Sequence, residues 1–164
     1  MKSDGPFPMN PALPHCVHLC IVQPMGFVHS MVLLDPALYF KHQFEQLGAR
    51  VTIAKNRLRR DMPNLVFGAH LGFDPALRER FPCVFVNLEQ LGEGGSGLRT
   101  MPEYLALLQD AAVIDYDASN PRHYTRRPED IPLVSFGFAP YLAPARSLPL
   151  ELSLIHISEP TRPY

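Results

Sequence analysis

Hydrophobic positions fall in short runs along the chain, and most gaps between runs carry helix patterns. The runs are Val17–Val22, Arg50–Ala54, Asn64–Phe67, Cys83–Asn87, Ala112–Ile114 and Ile131–Phe136. Several are apolar on both faces of the strand they would form. Such strands need cover on both sides, as in a parallel sheet flanked by helices. Asp35-Pro36 opens the clearest helical stretch, with Asp35 as the expected cap and Pro36 at the first helical position. Phe40, Phe44 and Leu47 recur at i, i+4 and i+7 as a stripe facing the sheet, and Gly48 supplies a stop. Asp74-Pro75 repeats the cap-plus-proline signal ahead of a short helix over Ala76–Arg80. Met101–Gln109 reads as a further helix with Tyr104, Leu105 and Leu108 inward. The pattern predicts an α/β, Rossmann-like, three-layer domain with a mostly parallel sheet of about six strands.

Right-handed crossovers bring the carboxyl ends of parallel strands to one edge, where ligands of such sheets bind. That edge would gather Gln23, His29, His70, Asn87, Glu89, Gln90, Asp115, Asp117, Asn120 and Gly137. Structural duties account for several of them. Asn87 and Asp115 can satisfy loop N–H groups where strands stop, and Asp117 and Asn120 suit turn and cap positions. His70 can simply hydrogen-bond a carbonyl. Glu89 is harder to place. It lies between Leu88 and Leu91 directly after a buried strand, where an unpaired carboxylate is costly. It must be paired or face a cleft, where it could accept a hydrogen bond from a sugar hydroxyl or act as a base. The glycine run Gly92, Gly94, Gly95 and Gly97 follows it.

No motif here is sufficient for chemistry. The loop after the first strand has one glycine, Gly26, where a dinucleotide fingerprint needs three. The nucleophile elbow G-x-S-x-G and zinc-ligand spacings are lacking, so neither cofactor nor metal is expected. His15 and His18 would point to opposite faces of a strand. Cys16, Cys20 and Cys83 do not form a disulfide framework. Cys16 and Cys20 share a face but stand about 13 Å apart. The balance of 15 basic and 16 acidic residues gives no support to a nucleic-acid partner. Two short basic clusters, Arg57/Arg59/Arg60 and Arg122/His123/Arg126/Arg127, read as solvated surface. No apolar run has the length of a signal peptide core or a membrane span, which suggests a cytoplasmic protein.

The expected organisation is an irregular segment over 1–15, the Rossmann-like domain over 16–152, and a foreign tail over 153–164. Ser153–Tyr164, SLIHISEPTRPY, resembles a recurrent translation of sequencing-adaptor DNA. The tail includes Leu154–Ile157, which could pass for a short strand, and His156, which is excluded from any site.

Five segments together resemble the N-terminal half of a bacterial glycosyltransferase family with the two-domain GT-B arrangement. They are Phe40–Leu58, Asn64–Leu71, Val84–Leu91, Ala111–Tyr124 and Ile131–Leu142. The resemblance covers about Cys16–Leu142 and rests on the order and spacing of the segments. It implies an enzyme that moves a sugar from a nucleotide sugar to a glycan or other hydroxyl acceptor. The N-terminal domain would receive the acceptor, and a C-terminal domain missing from this chain would hold most donor contacts. On that basis Glu89 and His70 are the catalytic candidates, and Asn87, Gln90, Asp115, Asn120 and Gly137 are cleft or substrate residues. The fragment alone would be inactive. The alternative is a small flavodoxin-like or receiver-like binding domain without catalytic activity, with Asp115 or Asp117 handling magnesium or phosphate. Against the receiver-like form, the first strand ends on Gln23-Pro24 rather than on acidic residues.

Overall fold

A computed structural model describes residues 14–91 and 102–137. The glycine run Gly92–Gly97, most of the segment over 1–15, and everything from 138 onward, including the tail over 153–164, lie outside the described residues.

Among the described residues the sheet is parallel and five-stranded, in the order β2-β1-β3-β4-β5. Its strands are β1 (Cys16–Ile21), β2 (Arg50–Lys55), β3 (Asn64–Phe67), β4 (Cys83–Asn87) and β5 (Ala112–Asp115). Successive side chains alternate between its two faces. Val17, Leu19, Ile21, Leu65, Phe67 and Val86 form one core with helix α1 (Leu34–Gln46), through Ala37 and Phe40. Cys20, Val22, Val66, Phe85 and Val113 form the other with helix α2 (Pro102–Gln109), through Tyr104, Leu107 and Leu108. Edge-to-face ring contacts tie each layer to the sheet: Phe40 on Phe67 at 5.5 Å and Phe73 on Phe85 at 5.1 Å. Burying a side chain of this size is worth about 1.5–3 kcal/mol. The three cysteines are free thiols, Cys20 buried and the other two half-buried.

Several local signals act as expected. Gly48, at φ +85°, closes α1: its N–H donates to Glu45 O, and the Ala49 N–H donates to Phe44 O. This is the paired ending that a left-handed residue permits. Asp74 caps the 3-10 turn over Pro75–Glu79, its Oδ1 accepting from Ala76 N at 3.0 Å.

Three details differ from the pattern: the start of α1, its end, and the run Ile131–Phe136. Helix α1 begins at Leu34, directly after a 3-10 turn over Val28–Leu33. Leu33 therefore holds the cap position, and Asp35 sits inside the first turn, where its charge suits the positive end of the helix dipole. Leu47 ends α1 as a cap and is exposed rather than facing the sheet.

The connection from β2 to β3 contains no helix. Residues 56–63 run back over the sheet, held by two buried polar side chains. Arg57 O accepts from His18 Nε2 at 2.9 Å, which places the imidazole proton on that nitrogen and leaves Nδ1 to accept from Thr52 Oγ1 at 2.7 Å. Asn64, fully buried, accepts from Arg59 N and donates to Arg59 O. These bonds satisfy backbone groups that a crossover helix would have paired internally.

The run Ile131–Phe136 forms no sixth strand. It makes a single parallel bridge, Leu133 against Asp115, through Asp115 N to Pro132 O and Val134 N to Asp115 O. Pro132 has no N–H to extend a ladder, and the chain turns away after Asp115.

Candidate functional site

Strands β3, β4 and β5 lie side by side, with Phe67 in register with Val86 and Asn87 with Asp115. Their carboxyl ends therefore place His70, Asn87, Glu89 and Asp115 along one edge. After Phe67 the chain turns through Gly68 at φ +74° into a 3-10 turn over Ala69–Leu71. The positive φ favours glycine here, and a Cβ at Gly68 would stand 2.5 Å from Leu33 Cδ1, the end of a buried side chain that would have to shift.

The innermost layer is a closed polar network around Asp115. Its Oδ1 accepts from Tyr116 N at 2.8 Å, Asp117 N at 3.1 Å and Asn120 Nδ2 at 2.8 Å. Its Oδ2 accepts from Asn87 Nδ2 and Tyr124 Oη, both at 2.9 Å. The carboxylate is thus surrounded by donors from its own chain, and Asp115, Asn87 and Asn120 have no solvent exposure. Asn87 Oδ1 accepts from Tyr104 Oη at 2.9 Å and Glu89 N at 3.2 Å. Asn120 Oδ1 accepts from Leu91 N at 2.7 Å. The amides of Asn87 and Asn120 both donate to Glu89 O, at 3.0 and 2.9 Å. Burial, followed by the nearby Asp115 charge, pushes both phenols, Tyr104 and Tyr124, far above the usual tyrosine range. They are neutral donors here. The network pins residues 89–91 to the end of β5.

Glu89 emerges from that pinned loop half-buried, and its carboxylate meets His70. The separation is 3.4 Å between His70 Nε2 and Glu89 Oε1. Burial lowers the His70 pKa below 6.5, with the Glu89 charge partly opposing the shift. The imidazole is thereby neutral at pH 7 and beside a carboxylate. At 3.4 Å the two groups are in charge contact rather than closely hydrogen-bonded, and a neutral ring keeps one basic nitrogen. The His70 ring meets Tyr104 edge-on at 5.6 Å. It also lines a small pocket of about 210 Å³ with Phe73, Glu103 and Leu107. The arrangement can accept a proton from a hydroxyl and stabilise the resulting imidazolium.

Comparison of the chain with protein-family models, curated proteins and solved structures returned no match. What can be said of the site rests on its geometry.

That geometry brings together His70, Glu89, Asn87, Asp115 and Asn120. It separates two other candidates from them. Gln90 follows Glu89 in the chain but is exposed and joins none of the network's hydrogen bonds. Gly137 lies against helix α1, its N–H donating to Tyr39 Oη at 3.2 Å. Asp117 makes a turn, accepting from Ser119 N at 2.7 Å. Asn120 occupies the cap position of the turn over Pro121–His123 without capping it by side chain, which goes to the 89–91 loop instead. Tyr104 and Tyr124 complete the network and were not among the sequence candidates. An inward tyrosine on α2 needs a partner for its hydroxyl, and that was the available signal for Tyr104. Among the described residues, no group of three or more His, Cys, Asp or Glu is placed to hold a metal ion.

Proposed function

We propose that the chain is the acceptor-side domain of a cytoplasmic glycosyltransferase that moves a sugar from a nucleotide sugar to a hydroxyl acceptor. The observation that supports this reading is the neutral His70 beside Glu89 at the open carboxyl edge, with Glu89 pinned from behind by Asn87 and Asn120. His70 takes the acceptor hydroxyl proton, the freed oxygen forms its bond to the anomeric carbon, and the bond from that carbon to the nucleotide diphosphate breaks. Glu89 stabilises the imidazolium. Asn87, Asp115 and Asn120 act as positioning residues. Donor contacts belong to a second domain, so the 164-residue chain binds acceptor sugars and does not transfer.

The test is NMR titration of the labelled chain with a panel of mono- and oligosaccharides, alongside a transfer assay with nucleotide sugars. Saturable shifts around His70 and Glu89, lost in His70→Ala, are expected. Turnover by the chain alone, or no sugar response anywhere, defeats the proposal.

A second reading, a flavodoxin-like binding domain, is favoured by the strand order β2-β1-β3-β4-β5. In sheets of this order the ligand crevice lies at the carboxyl ends of β1 and β3. An apolar groove of about 590 Å³ opens there, between Val22, Gln23 and Pro24 on one side and Leu71 and Phe73 on the other. The receiver-like form is disfavoured, because Asp115 spends both oxygens on its own chain. Shifts confined to the β1/β3 groove in the same titration would favour this reading.

A further inference from the structure

The segment that follows the β5 edge carries a charge pattern that the His70–Glu89 pair does not use. Arg122, His123, Arg126 and Arg127 line a groove of about 770 Å³ whose other wall is α2, through Leu105, Ala106 and Gln109. The segment is set rigidly. Pro121 starts its turn, His123 N donates to Asn120 O, Tyr124 N and Thr125 N both donate to Pro121 O, and Tyr124 is anchored to Asp115. The arginines are therefore presented from a fixed backbone rather than a loose loop.

The charges are only partly offset, although Asp117 lies near enough to Arg122 to feel its charge. Asp130 engages Arg127 at 2.7 Å, and Asp110 is the acidic residue on the lining. Arg122 donates to His123 Nε2 at 3.5 Å, a contact that needs that nitrogen unprotonated. Among the described residues no ion pair holds Arg122 or Arg126, and both are exposed. Guanidinium groups remain charged at any physiological pH, so the two exposed arginines leave positive charge on this groove wall. Their planar forks fit phosphoryl oxygens two at a time.

We propose that this groove binds a phosphate-bearing ligand, with Arg122 and Arg126 gripping the phosphoryl oxygens over the Leu105/Ala106 surface of α2. The proposal does not depend on the sugar-transfer reading, and its test requires no turnover.

The probe is inorganic pyrophosphate, titrated into the ¹⁵N-labelled 164-residue protein at low and high salt. Saturable shifts at 102–110 and 122–127 are expected, weakening with salt. The double variant Arg122→Ala/Arg126→Ala should bind at least roughly tenfold more weakly while keeping the wild-type urea midpoint, since both side chains are exposed. Sedimentation with phosphatidylcholine vesicles, with and without phosphatidylglycerol, identifies the source. Binding to the anionic vesicles, lost in the double variant, points to a lipid headgroup. Pyrophosphate binding without vesicle binding points to a soluble phosphate ester. No saturable shift in the millimolar range overturns the proposal. So do shifts confined to Arg57–Arg60, or undiminished binding by the double variant.

Discussion

Replacing Asp115 by Asn keeps the shape of the side chain and removes its charge, which isolates the electrostatic part of the buried network. Two effects compete. Neutralising a fully buried carboxylate relieves a desolvation penalty, and that alone would stabilise the fold. Against it stand the donors aimed at the two oxygens: Tyr116 N, Asp117 N and Asn120 Nδ2 at Oδ1, and Asn87 Nδ2 and Tyr124 Oη at Oδ2. An amide oxygen at the Oδ1 position keeps its three bonds but as neutral ones, each weaker by about 1 kcal/mol. The amide nitrogen at the Oδ2 position then faces Asn87 Nδ2 donor to donor. Tyr124 can rotate its hydroxyl to accept, but Asn87 cannot flip without losing Glu89 N and Tyr104 Oη. Stranding that buried N–H costs a further 1–3 kcal/mol or so. These losses come to about 4–6 kcal/mol, and relief of about 2 kcal/mol of desolvation leaves a net loss of about 3 kcal/mol. At a urea slope of about 2 kcal/mol/M, the midpoint falls by about 1.5 M. Tyr124→Phe removes one donor and leaves the charge, for a loss of about 1–2 kcal/mol. Urea unfolding followed by circular dichroism measures both. An Asp115→Asn midpoint equal to wild type, or above that of Tyr124→Phe, would refute the reasoning, because desolvation would then outweigh the donor shell.

Two further outcomes follow from the same structure. Gly68→Ala should destabilise by roughly 1–3 kcal/mol, from positive φ and the approach to Leu33, whereas alanine at the open Gly26 meets nothing and is limited to the backbone cost. The urea midpoints of the two variants give the comparison, and equal losses would rule out the Leu33 contact as a factor. Stability should also fall on acidification. Burial lowers the pKa of both His18 and His70 below 6.5, so the unfolded chain binds more protons than the folded one. Their contribution is intact above about pH 6.5 and is lost as pH drops through that value toward the lowered folded pKa. Urea midpoints across pH 5–8 should show this slope, and His18→Gln should flatten it. A slope that His18→Gln leaves unchanged would show that His18 is not a source.

The parallel sheet, its strand positions and its two covered faces were legible in the sequence because they depend on local signals. Apolar runs at Val17–Val22 and Cys83–Asn87, the glycine stop at Gly48 and the cap at Asp74 each act within a few residues. So was the placing of His70, Asn87, Glu89 and Asp115 at one edge, since parallel strands share a direction. What those residues do there was decided by contacts between distant parts of the chain. Asn87 and Asp115, 28 residues apart, close on each other with Tyr104 and Tyr124, so residues that read as cleft walls are interior supports. The helix-free return from β2 to β3 depends on His18 reaching its backbone from β1, 39 residues away, together with the local closure of Asn64 on Arg59. The run Ile131–Phe136 had the apolar pattern of a strand, but it meets edge strand β5 only at its last residue, through the single Asp115–Leu133 bridge, and Pro132 has no N–H to extend it. Beta pairing is a property of two segments, and a one-dimensional pattern specifies only one of them.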